Sequence, residues 1–225
     1  MTVGIAVDAI NGRVLGIDEL PGEAAEQLKT WLEPILDAVD ADVVVSDETG
    51  RSQQVCKSHV GRNTDALAAE LSAIIGVGQD HSLNAIHITS EQALSDLDAL
   101  KEMIHSRRPE DQPRLEEIYL RYANARKPGK GKKHDVAYRL RNLFMDRWNL
   151  WPRLTFYRNW KDEYGNVILD GTNNDCERAI GWWIKERYRS MRGYKQAHSA
   201  LGISRLIAFA GNQLARGLRL AGLMA

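Results

Sequence analysis

The 225-residue sequence predicts an α/β fold that contains a large helical block. Two short apolar runs with an Asn-Gly turn signal between them open the chain and predict a β-hairpin. A segment with helical spacing and then a β-branched run follow, which gives the order β, β, α, β. From residue 64 to about residue 150, apolar residues recur every three or four positions, and this spacing predicts mostly helix.

Each element follows from a local pattern. Residues 3–7 and 14–17 are the apolar runs of the hairpin, and residues 23–38 have the spacing of an amphipathic helix that contains Pro34. Residues 42–47 read Asp-Val-Val-Val-Ser-Asp, which is typical of a short buried strand in a parallel sheet. Two more helices are predicted over residues 172–192, capped by Thr172 or one of the next two Asn residues, and over residues 197–224, packed against the sheet.

Composition and charge exclude several classes of protein. With only two cysteines, no leader pattern and no apolar run of about 18 residues, the chain is neither a disulfide scaffold nor a membrane protein, and we expect it in the cytoplasm. The net charge is zero, but residues 1–50 carry −9 and residues 121–225 carry +13. A basic C-terminal half fits a polyanion such as DNA, with a solvated basic surface as the alternative.

Three segments each have two interpretations. Residues 126–134, Arg-Lys-Pro-Gly-Lys-Gly-Lys-Lys-His, predict a basic loop, for which simple solvation is favoured over a specific DNA contact. The aromatic residues between 141 and 160 favour a packing seam over a platform for base stacking. Cys56 and His59 have no second ligand pair at zinc spacing, so a role in the core or in a DNA contact is favoured over structural zinc.

Residues 170–195 hold the most informative pattern. On a helical wheel, Glu177 shares the predicted buried face with Ile180 and Ile184. Asp47, at the end of the predicted third strand, is a second carboxylate, and oxygen ligands of this kind favour Mg²⁺ or Mn²⁺. The alternatives are that Asp47 is a cap or turn residue and that Glu177 stabilises the helix dipole. The neighbouring face of the same helix forms a basic stripe: Arg178, Lys185, Arg189 and Arg192.

Taken together, three motifs resemble a known family. They are Val-Val-Ser-Asp at 44–47, Gln-Val-Cys-Lys-Ser-His-Val-Gly-Arg-Asn at 54–63, and Thr-Asn-Asn-Asp-Cys-Glu-Arg at 172–178 with Arg-Gly-Tyr at 192–194. This combination resembles the bacterial insertion-sequence transposases of the DDE type. The resemblance implies a ribonuclease H-like core in residues 1–63 and 171–225, interrupted by a helical insertion in residues 64–170.

The resemblance also implies roles for individual residues. Asp47 is the second acid and Glu177 the third, and both hold the Mg²⁺ or Mn²⁺ ion. Asp8 is the candidate for the first acid, but it adjoins the turn and lies too close to Asp47 in the chain for three strands and a helix, so we expect the strand with the first acid upstream of Met1. The expected DNA contacts are Arg178, Lys185, Arg189, Arg192, Lys195, His59 and Arg62.

The function implied by the resemblance is metal-dependent cleavage and strand transfer at transposon ends. The partners would be double-stranded DNA, at the ends and at the target, and a second copy of the chain, because synapsis joins two ends. The short step from Asp47 to Cys56 and the missing first strand favour a truncated copy, so the alternative is an inactive remnant that only binds DNA. A ribonuclease H-like nuclease for branched or hybrid duplexes is a third possibility.

Overall fold

The computed structural model describes residues 2–8, 13–22, 24–41, 44–45, 53–131, 133–172, 174–179, 181 and 197–215. Within these residues the protein is a helix-rich α/β structure with two small two-stranded sheets. The chain divides into two compact units, one formed by residues 1–53 and 160–225 and the other by residues 54–159. We call them the α/β unit and the helical unit. The α/β unit is therefore discontinuous in sequence.

Most of the described residues lie in helices, and most of the described elements are helices. Short 3₁₀ turns at Asn84–Ile86, Pro109–Asp111 and Phe156–Asn159 link some of them. None of the helices that the structure describes is long and apolar enough to span a membrane. In chain order, the strands and helices are β1 (Thr2–Val7), β2 (Val14–Leu20), α1 (Ala25–Ala38), β3 (Val44–Val45), β4 (Gln53–Gln54), α2 (Lys57–Val77), α3 (Ser90–Ser106), α4 (Gln112–Arg121), α5 (Val136–Thr155), α6 (Asn174–Ala179) and α7 (Ala197–Ala215).

The predicted hairpin is confirmed. Strands β1 and β2 pair antiparallel, with Ile5 opposite Ile17, while the predicted turn residues 11 and 12 lie outside the described residues. Successive side chains of a strand point to opposite faces of a sheet. Helix α1 covers the face that contains Gly16, where an added Cβ would lie 2.6 Å from Ile35 Cδ1, so glycine permits this close approach. Helix α1 matches the helix predicted over residues 23–38, and Pro34 lies inside it.

Helix α7 covers the opposite face of the hairpin, as predicted for the final helix. Leu201 and Ala208 of α7 form a buried cluster with Val14 and Ile17. Asn212 satisfies both backbone groups of Val14: its Oδ1 accepts from the Val14 N–H at 3.0 Å, and its Nδ2 donates to the Val14 carbonyl at 2.6 Å. Helix α7 therefore buries apolar side chains of strand β2 and also makes hydrogen bonds to its backbone.

The predicted third strand is seen only in part. Strand β3 pairs with β4 in a sheet that is separate from β1 and β2, and Val44 is buried. Asp47, predicted at the end of this strand, lies outside the described residues.

The helical unit confirms the helical prediction for residues 64–150 and begins earlier than the predicted insertion. Its core is formed by α2 to α5, where Leu100 and Leu140 are fully buried. The predicted packing seam of aromatic residues is confirmed in part. Phe144 and Trp151 are fully buried, and Trp148 stacks on Tyr119 with ring centroids 5.8 Å apart. Phe156, Tyr157 and Trp160 are half-buried.

Candidate functional site

Helix α6 carries Glu177 and begins in a short polar turn. The buried Thr172 accepts a hydrogen bond on Oγ1 from the Asn174 N–H at 3.4 Å, and it donates its own proton to the Asp170 carboxylate. Thr172, one of the three predicted caps, thus satisfies a backbone donor of the first turn, which has no partner inside a helix.

The predicted burial of Glu177 is wrong. The side chains of Glu177 and Arg178 are both exposed. The spacing of Glu177 to apolar residues predicts which residues share a face of a helix, but spacing alone does not fix which face packs against the rest of the protein. Ile180 and Ile184, which were predicted to share the face of Glu177, lie outside the described residues.

Helix α6 packs against strand β1. Asp8 directly follows β1, is half-buried, and donates its backbone N–H to the Arg13 carbonyl at 2.8 Å. Strand β1, which precedes Asp8, and helix α6, which contains Glu177, are therefore in contact although they are far apart in the sequence. The other predicted residues of this region, Asp47, Lys185, Arg189, Arg192 and Lys195, lie outside the described residues.

Asp8 and Glu177 are the predicted acids that the structure describes, and both carry carboxylates. Carboxylate oxygens are the ligands that Mg²⁺ and Mn²⁺ prefer, and the exposed Glu177 carboxylate is accessible to solvent. In the part of the chain that the structure describes, His, Cys, Asp and Glu side chains form no cluster of three or more that could hold a metal. Any site with Asp47 as a ligand includes a residue beyond that part.

The motif at residues 54–63 divides between packing and exposed surface. Cys56 is fully buried just before α2, His59 is half-buried and Arg62 is exposed in the first turns of this helix. Asn63 ends the motif and binds Arg147 of α5, with its Oδ1 accepting from Nη2 at 2.6 Å. Part of the motif therefore holds the helical unit together, while Arg62 lies on the surface.

Arg147 is a buried cation that sequence reasoning missed. Its Nε donates to Thr64 Oγ1 at 2.8 Å, and only 9% of the residue is exposed. Desolvation by burial lowers the pKa of the guanidinium, partly opposed by the charge of Asp146. The residues three and four positions away from Arg147 in the helix are apolar. No carboxylate at helical spacing therefore indicated that this cation is buried.

The two ends of the helical unit meet around Tyr157, one of the aromatic residues between 141 and 160. Lys57 Nζ lies 4.9 Å and Arg158 Cζ 5.6 Å from the centroid of its ring. Gln54 is fully buried, accepts from the Tyr157 N–H at 2.6 Å and donates to the Leu154 carbonyl at 3.0 Å. Lys57 and Gln54 contact Tyr157 from positions far away in the sequence, so no local pattern predicts these contacts, whereas Arg158 is the next residue in the chain.

The protein is therefore a helix-rich α/β protein in which helix α6, with its carboxylate at Glu177, lies against the β-hairpin. The helical unit separates α6 from the hairpin in the sequence. Compared with known proteins, the chain matches no family model, no curated protein and no solved structure.

Proposed function

We propose that this chain is the core of a DNA transposase of the DDE type, with a ribonuclease H-like fold, that cuts and joins DNA at transposon ends. One observation carries the proposal: the helix with Glu177 lies against strand β1, the strand that Asp8 directly follows, although the whole helical unit intervenes in the sequence. An α/β unit interrupted by a helical unit is also the organisation that the resemblance to this family implies.

The proposed active site combines acids with cations. Asp47 and Glu177 would hold Mg²⁺ or Mn²⁺, with Asp8 as the candidate first acid. The chemistry that the metal supplies when bound is activation of water or a 3′-hydroxyl and stabilisation of the charge on the reacting phosphate. Exposure of Glu177 keeps its carboxylate accessible to the ion and to DNA. Phosphate contacts are assigned to Arg178, Lys185, Arg189, Arg192, Lys195, His59 and Arg62.

The proposal also names partners and a place of action. The substrate class is double-stranded DNA, both transposon end and target. A homodimer on DNA is proposed because synapsis brings two ends together. The reaction would take place in the cytoplasm, where bacterial DNA is accessible.

The test compares strand cleavage by the full chain and by two variants. The substrate is a supercoiled plasmid that carries the genomic sequence flanking the gene for this chain, incubated with Mg²⁺ or Mn²⁺. We expect Glu177→Gln to abolish nicking and to retain binding to the plasmid, because the change removes one ligand charge. Glu163→Gln removes the same charge from an exposed turn and is the matched control, with nicking expected at the level of the unchanged protein.

Other results would replace the proposal. Nicking by Glu177→Gln at the level of the unchanged chain would refute the assigned role. DNA binding without any cleavage, together with calorimetry that detects no Mn²⁺ uptake dependent on Glu177, would identify an inactive DNA-binding remnant. Preferential cleavage of branched or hybrid duplexes would identify a ribonuclease H-like nuclease that acts on those structures.

A further inference from the structure

The segment that joins α4 to α5 concentrates positive charge. Residues 126–134, which we call the basic loop, contain five Lys or Arg and no Asp or Glu. The four of these cations that the structure describes are all exposed, and no described carboxylate lies within 4.0 Å of their charged nitrogens. These four are Arg126, Lys127, Lys130 and Lys133.

The middle of the basic loop is not packed against the protein. A Cβ built on Gly129 or Gly131 would meet no heavy atom within 4 Å. Gly131 has φ +84°, in the left-handed region that favours glycine, so a side chain at this position would be strained. The loop backbone can therefore be approached closely by another molecule, and burial does not account for its cations.

Both ends of the basic loop are fixed to the helical unit. On one side, Arg141 Nη1 donates to the carbonyl of the buried Ala125 at 3.0 Å. On the other side, the Val136 N–H donates to Asp80 Oδ2 at 2.9 Å. The cations are thus presented at a defined place, which lowers the entropy that is lost when a partner binds.

The start of α5 beside the loop does not itself offer free donors to an anion. The N–H groups of Val136, Ala137 and Tyr138 bond to Asp80, to Ser82 Oγ and to Asp135, respectively. The two carboxylates in these contacts accept from backbone N–H groups: Asp80 from Ser82 and Val136, and Asp135 from Tyr138. An anion at this end of the unit would therefore be held by the Lys and Arg side chains.

We propose that the basic loop binds the phosphate backbone of duplex DNA without reading its sequence. Lys127, Lys130 and Lys133 recur every third residue, so neighbouring lysines lie at most about 10 Å apart along an extended chain. Duplex DNA presents one charge per about 1.7 Å of its axis, a density that can engage several closely spaced cations at once. The choice of DNA over another polyanion rests on the proposed function.

The experiment measures binding of the full chain to a fluorescent duplex of arbitrary sequence by anisotropy, across a series of salt concentrations. EDTA is present, so binding is measured without metal-dependent cleavage. We expect Lys127→Gln, Lys130→Gln and Lys133→Gln together to lower the slope of log K against log salt by about 3, or about 0.9 for each lost contact. Each contact is then worth about eightfold in affinity at 0.1 M salt relative to 1 M.

Two controls separate a specific contact from a general loss of charge. The triple Lys→Arg variant at the same positions keeps the charge and should retain the slope and the affinity. A second variant removes three charges from exposed cations that already have carboxylate partners, and its slope should fall by less than 1. These paired positions are Lys29 with Glu33, Lys101 with Asp98 and Arg114 with Glu102, each changed from cation to Gln.

The outcomes are decisive in both directions. An unchanged slope in the triple Gln variant, or an equal loss in the paired-cation control, would overturn the proposal. Binding of a polyglutamate peptide as tight as that of the duplex would also overturn it and would identify an acidic protein as the partner. Failure of the nicking test with a normal loop effect would refute the proposed function alone, and normal nicking without a loop effect would refute the loop alone.

Discussion

Tyr122 gives a sharp test of the core of the helical unit. Its ring is fully buried, and its hydroxyl donates to Asp96 Oδ2 at 2.9 Å. Asp96 is only 2% exposed and also accepts from Gln92 and Arg121. Tyr122→Phe removes one hydrogen bond to a charged acceptor, which is worth about 1.5–3 kcal/mol, and we expect the lower part of this range because the carboxylate keeps its other donors.

The same contact predicts how stability changes at alkaline pH. Burial, followed by the charge of Asp96 and the hydrogen bond to it, raises the pKa of Tyr122 far above its ordinary value of 10.0. Above pH 10 the unfolded chain loses this proton while the folded protein keeps it, so the folded state binds one proton more. The free energy of unfolding should therefore fall by about 1.4 kcal/mol per pH unit above pH 10 through this residue alone.

The assay is urea denaturation at a series of pH values from neutral to alkaline. The Tyr122→Phe variant should be less stable at neutral pH and should lose stability more slowly above pH 10. Tyr164→Phe is the matched control because Tyr164 is 81% exposed, and this variant should keep the full alkaline slope. The same alkaline slope in the unchanged chain and in Tyr122→Phe would refute the reasoning.

Two further predictions concern polar contacts of the helical unit, both measured by urea denaturation. Asp80→Ala leaves the N–H groups of Ser82 and Val136 without their acceptor and should cost about 1–2 kcal/mol. Burial acts to raise the pKa of Asp80, but the hydrogen bonds outweigh it and lower the pKa. The stabilisation by Asp80 is therefore present above about pH 4 and is lost on acidification. A difference in unfolding free energy between the unchanged chain and Asp80→Ala that persists undiminished at lower pH would contradict this. Arg147→Met removes a buried charge and leaves Thr64 bonded to the Val60 carbonyl, so the free energy of unfolding should stay within about 1 kcal/mol. Arg147→Ala should cost about 2–4 kcal/mol, because it leaves a cavity. A loss above about 3 kcal/mol in the Met variant would show that the cation itself stabilises the fold.

Local pattern was sufficient for the elements that bury one apolar face. The hairpin, α1 and α7 were predictable because the spacing of apolar residues reports directly which face meets the core. The buried state of Phe144 and Trp151 was predictable for the same reason, since both lie at helical spacing within a long apolar pattern. That a Thr or Asn at residues 172–174 would bond to the first turn of a helix was predictable from residue type, but the sequence left three candidates and the structure shows the bond to Thr172.

Contacts between distant segments were not predictable in this way. Asn63 was seen as the end of a motif, but its contact with Arg147, like that of the next residue Thr64, depends on the packing of α2 against α5. The exposure of Glu177 depends on how α6 packs on β1, which a helical wheel cannot express.

The sequence by itself determined the helix-rich α/β class, the hairpin and the charge of the basic loop, because each depends on residue type and on the spacing of near neighbours. Only the tertiary structure decided that the helix of Glu177 returns to strand β1 and that the basic loop is fixed at both ends yet unpacked in its middle. The physical reason is that burial and hydrogen bonding between remote segments depend on how the elements pack, and packing is a property of the whole chain.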